Sequence, residues 1–64
     1  RKLEPKLWEV RSDLEGIIAS VIFTVVGSQM ILLHGFIKKS QKTPTVDLQT
    51  ARQRHAKLRG TAHE

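Results

Sequence analysis

Lys38, Lys39 and Lys42 stand within five residues of one another, and Arg52, Arg54, Lys57 and Arg59 follow them closely. Between residues 38 and 60 only Asp47 opposes these seven cations, an excess of +6. Residues 1–37 are balanced, with Arg1, Lys2, Lys6 and Arg11 against Glu4, Glu9, Asp13 and Glu15. Glu64 brings the chain of 64 residues to a net +5. Positive charge gathered on one half suits a polyanion such as nucleic acid, an acidic partner or a membrane surface. The plainer alternative is a solvated helix face.

Three histidines are the other groups able to move protons near neutrality. His34, between Leu33 and Gly35, is a candidate general acid or base by type. A structural role, hydrogen-bonded within the fold, is the competing expectation. His55 is expected to pack and His63 to lie in the tail. No two histidines have metal-ligand spacing, and there is no paired-carboxylate motif or glycine-rich phosphate loop. With no cysteine there is no disulfide framework, thiolate metal site or cysteine nucleophile. No metal and no cofactor are expected.

These groups need elements to position them, and 64 residues hold one domain at most. A hydrophobic content of 39% is too high for a disordered basic tail. Strands are expected over Leu7–Arg11, Ile17–Val26 and Met30–Ile37, where β-branched and aromatic residues dominate. Trp8 and Val10 share one face of the first strand and are expected in the core, with Met30 filling a gap. Asp13-Leu14-Glu15-Gly16 reads as a turn. The second strand is apolar on both faces, which makes it central. Thr43-Pro44 fits an N-cap followed by proline at the first helical position. Leu48, Ala51, His55 and Leu58 then give a helical apolar stripe that Gly60 would end.

The fold class expected is therefore α+β: a three-stranded antiparallel meander followed by a C-terminal helix. The domain spans residues 1–60, and 61–64 form a flexible tail. One helix covers only one face of the sheet, so the second apolar face calls for a further segment, a partner chain or a dimer mate. Arg1 in place of an initiator Met fits a piece of something longer. A different architecture has to be weighed, because Ile17–Ile37 carries no charge and is long enough to span a bilayer as a helix. Gly27-Ser28-Gln29 near its middle favours a hairpin instead.

Leu7-Trp8-Glu9-Val10-Arg11, Val21-Ile22-Phe23 and above all LLHGFIKKSQKTP (residues 32–44) form a specific string, followed by a basic helix with the run Ala51-Arg52-Gln53-Arg54. Over residues 3–60 this resembles the phage-derived HigB-like toxins of the RelE/ParE superfamily, in their C-terminal two-thirds. The resemblance implies a RelE-like fold whose N-terminal strand and helical pair are not in this sequence. It also implies a cytoplasmic endoribonuclease that cuts messenger RNA on the ribosome without a metal, by attack of the ribose 2′-hydroxyl on its neighbouring phosphate. A helix-turn-helix antitoxin protein, the ribosome and messenger RNA would be its partners, and no membrane is implied.

Carried over residue by residue, the resemblance puts Lys39 where the family keeps a cation at the scissile phosphate, and Arg11 at a second basic site. Fixed positive groups act there on phosphate charge that develops in the transition state. Lys38, Lys42, Arg52 and Arg54 would hold RNA phosphates, and Gln41 a base or ribose hydroxyl. Solvated side chains, or an Arg11 ion pair with Glu9 or Asp13, are the bland alternatives. Ser20 stands where the family usually carries an arginine, which implies an attenuated enzyme or a catalytically inactive homologue that still binds antitoxin or RNA. A gyrase-poisoning relative and a single-span membrane protein with a basic tail are the remaining readings.

Overall fold

The computed structural model describes residues 1–62. Four strands, β1 (Lys2–Glu4), β2 (Leu7–Leu14), β3 (Ile17–Val26) and β4 (Gln29–Lys38), form one antiparallel sheet in sequence order, and helix α1 (Thr45–Ala62) follows. The α+β meander with its C-terminal helix is as expected, with one strand more. Pro5 and Lys6 make the additional turn, Glu4 pairing directly with Leu7. Proline presets φ at the first central position, and Lys6 takes φ 70° at the second, where glycine is usual. Arg1 extends the ladder: Glu9 N–H donates to its carbonyl at 2.7 Å, and its own amino group donates to the Glu9 carbonyl at 2.8 Å.

The turns between the long strands are tighter than the sequence implied. Leu14 pairs with Ile17 and Val26 with Gln29, so each loop has two residues and Asp13, Leu14 and Gln29 belong to strands. Gly16 (φ 78°) and Gly27 (φ 61°) supply the left-handed backbone that such loops need. Residues 17–37 are thus a β-hairpin, and among the described residues no helix is long and apolar enough to cross a membrane.

Helix α1 packs on the sheet face that carries Ile18, Ser20, Ile22 and Thr24, all buried. Leu7, Ile22, Leu33 and Ala51 make the core, with Leu3, Ile31, Phe36 and Leu48 against it. In β2 this choice of face reverses the expected phase. Leu7 and Glu9 point into the core, whereas Val10 is 55% exposed and Trp8 is half-buried on the opposite side, stacked on Phe23 at 6.1 Å. The reversal is possible because Glu9 finds cationic partners inside, as described below. Met30 also lies on the uncovered face, which exposes Val25, Leu32 and Ile37 as well.

The helix begins one residue later than expected. The Pro44 carbonyl accepts the N–H groups of Asp47 and Leu48, both at 3.1 Å. The Thr43 hydroxyl, instead of capping, accepts from Arg1 Nη2 (2.9 Å) and donates to Glu9 Oε1 (3.2 Å). At the other end α1 continues through Gly60 to Ala62, so that glycine does not stop it. Residues 63 and 64, with His63, lie outside the described residues.

Candidate functional site

Lys38 ends β4 and Lys39 follows it outside the strand. Lys38 pairs with Ile18 on the helix-covered face, and its ammonium is buried, donating to Glu9 Oε2 at 2.7 Å and to the Gln41 carbonyl at 3.2 Å. Lys39 and Lys42 are exposed and have no side-chain partner among the described residues. Arg11 reaches the same loop from β2, donating from Nη1 to the Gln41 carbonyl at 3.4 Å. The Gln41 backbone therefore ties together β2, β4 and the connection to α1, and its own side chain stays exposed. Arg11, Lys39, Gln41 and Lys42 lie on or beside one short connection. Lys38 stands apart from them, because its charge is neutralised inside the fold.

Glu9 is the group beneath this loop that sequence reasoning missed. Its carboxylate is buried and bonds Lys38 Nζ, Arg1 Nη2 and the Thr43 hydroxyl. Burial by itself would push this carboxyl up, but the side chains of Lys38, Ser20 and Arg1 prevail and lower it to about 2. The strand alternation that puts it opposite Trp8 is the signal that could have found it, though a carboxylate rarely faces a core.

Ser20 occupies the centre of β3, paired with Arg11 on one side and Phe36 on the other. It is 2% exposed, and its hydroxyl, though it makes no hydrogen bond of ordinary length, lies beside the Glu9 carboxylate and helps hold that group ionised.

The arginines of α1 diverge. Arg52 forms a two-bond pair with Glu4 of β1, Nε–Oε1 2.9 Å and Nη2–Oε2 2.7 Å, and this guanidinium holds the Glu4 carboxyl below its ordinary range. Arg54 turns to β4, donating from Nη1 to the Leu33 carbonyl at 2.8 Å. Beside it His34 Nε2 lies 2.7 Å from Asp47 Oδ1. His55 is half-buried against the sheet. Among the described residues no group of three or more His, Cys, Asp or Glu could hold a metal ion.

Residues 1–56 match the family model described as phage-derived protein Gp49-like (DUF891). No curated protein and no solved structure matches the chain.

Proposed function

We propose that this chain, which belongs to the phage-derived Gp49-like family of RelE/HigB-like toxins, is the toxin of a type II toxin–antitoxin pair and cuts messenger RNA on the ribosome. The observation that carries this reading is the exposed, unpaired charge of Lys39 and Lys42 on the connection to which Arg11 is bonded through Gln41. Attack of a ribose 2′-hydroxyl on the adjacent phosphate places growing negative charge on phosphate oxygens, and fixed cations lower the barrier electrostatically. Lys39 and Arg11 are the catalytic cations in this reading. Lys42, Gln41 and the two helix arginines hold the strand, Arg52 exchanging Glu4 for a phosphate. The Lys38–Glu9 pair underlies the loop, and Lys38 contributes through it.

The site of action is the cytoplasm, with the ribosome and its message as partners and a helix-turn-helix antitoxin protein as the silencing one. Primer extension on messages translated in the presence of the chain tests this directly. New 5′ ends that appear only when ribosomes engage the message are expected. Intact messages with inhibited supercoiling would favour a gyrase poison, and intact messages with retained antitoxin or RNA binding an inactive homologue. Ser20 bears on the last case: although position 20 is buried, a Ser20→Arg chain that urea unfolding shows to be folded should be more toxic on induction, and equal toxicity of that folded variant would remove position 20 from the mechanism.

A further inference from the structure

The ladder between β3 and β4 is interrupted at one place. Phe23 pairs with Leu32 but Ile22 pairs with His34, so Leu33 is an extra residue, a β-bulge. In regular alternation Leu32 and His34 would share the uncovered face. The bulge turns His34 over, and both Leu33 and His34 then meet the helix side. Bulges often re-aim a side chain in this way beside functional sites.

What His34 meets there is a set of groups suited to proton transfer. Asp47, in the first turn of α1, takes Nε2 at 2.7 Å. That leaves the Nδ1 lone pair as the acceptor, which Arg54 Nη1 meets with a long hydrogen bond of 3.4 Å. The Leu33 carbonyl fixes Arg54, with its other N–H groups open to an anion. Phe36 stacks on the imidazole at 5.3 Å and 16°, and holds the ring plane. The ring stays accessible, with 18% of the side chain exposed. Arg11 lies on the same sheet face in the next cross-strand row, Arg11–Ser20–Phe36.

We infer that His34, oriented by Asp47 and flanked by Arg54, is the proton acceptor that activates the ribose 2′-hydroxyl; the inference rests on the RNA-cleavage reading above. Arg54 gives up its 3.4 Å bond to Nδ1 for a phosphate oxygen, and Nδ1 takes the hydroxyl proton as the 2′-oxygen bonds to the adjacent phosphorus. The bond from phosphorus to the 5′-oxygen breaks, and that oxygen leaves with a proton from water. The products are a 2′,3′-cyclic phosphate and a 5′-hydroxyl, and the imidazolium returns its proton to solvent. Asp47 stabilises the imidazolium, and Arg54 the phosphate charge. The charged groups facing His34 are Asp47 and Arg54 from α1 and, beyond Phe36, Lys38 of β4. Ile22 of β3 is apolar, and Glu9 of β2, in the same row, is already paired with Lys38.

The test follows ribosome-coupled cleavage across pH 5.5–8.5 for the wild type, His34→Gln and Asp47→Asn, with urea unfolding of each. Glutamine keeps an amide donor for Asp47. His34→Gln is expected to slow cleavage by about 10²–10⁴-fold and to abolish the acid limb of the rate profile. Asp47→Asn is expected to move that limb to lower pH, which a merely structural clamp would not do. A folded His34→Gln chain with wild-type rate and profile overturns the inference while the RNA-cleavage reading stands. If that variant does not fold, an unmoved limb in Asp47→Asn overturns it instead. A wild-type chain that leaves every message intact fails the RNA-cleavage reading itself and takes the inference with it.

Discussion

Glu9→Gln is expected to leave a large part of the chain unfolded at neutral pH and 25 °C. The Glu9 carboxylate has no exposed side-chain surface, and Lys38, its partner at 2.7 Å, has 2%. Removing one member of a buried pair strands the other charge away from water, at a cost of about 3–5 kcal/mol. A domain of this length has roughly 3–10 kcal/mol in total, and among the described residues its buried apolar side chains are only Leu7, Ile18, Ile22, Leu33 and Ala51. Replacing both partners by apolar residues, Glu9→Leu with Lys38→Met, should recover much of the loss, since no charge is then left unpaired. Urea unfolding of the wild type, single and double variants measures this. A single variant that costs less than about 1 kcal/mol would show that water reaches the pair.

The same pair sets the acid limit of the fold. Glu9 ionises at about 2 in the folded chain against an ordinary 4.5. A folded value below the unfolded one gives stability that is complete above pH 4.5 and is lost as the pH falls from there towards 2. Glu9→Gln should lose this portion of the acid dependence, leaving a flatter stability profile below pH 4.5.

The parts of the fold legible in the sequence are those decided by neighbours in the chain. The two glycine turns, the long hairpin and the helical stripe through Leu48 and Ala51 follow from local propensity and period. The departures come from partners far along the chain. Trp8 and Val10 look like the buried pair of their strand until Lys38, 29 residues away, supplies Glu9 with a partner. The phase of His34 depends on a bulge in β4, and its relation to Asp47 on how the helix lands. β1 was hidden because a short charged segment ending in Pro5 resembles a leader more than an edge strand. The lysine run was visible as charge, but composition could not show that one of its members is structural.

That division within the lysine run gives the sharpest contrast between adjacent positions. Lys38→Met should lower stability on the scale of Glu9→Gln, because it leaves the Glu9 carboxylate buried without Lys38, one of its two ionic contacts at 2.7 Å. Lys39→Met removes an exposed ammonium with no partner among the described residues, and its stability should stay within about 0.5 kcal/mol of the wild type. Activity should show the reverse order. Loss of one transition-state cation costs about 10²–10³ in rate, so Lys39→Met should all but stop message cleavage in a fully folded chain. Lys38→Met, corrected for its folded fraction, should cut faster than Lys39→Met. Urea midpoints and primer-extension rates on the same preparations decide it. Wild-type cleavage by folded Lys39→Met would move the phosphate contact elsewhere, to Arg11, Lys42 or Arg54.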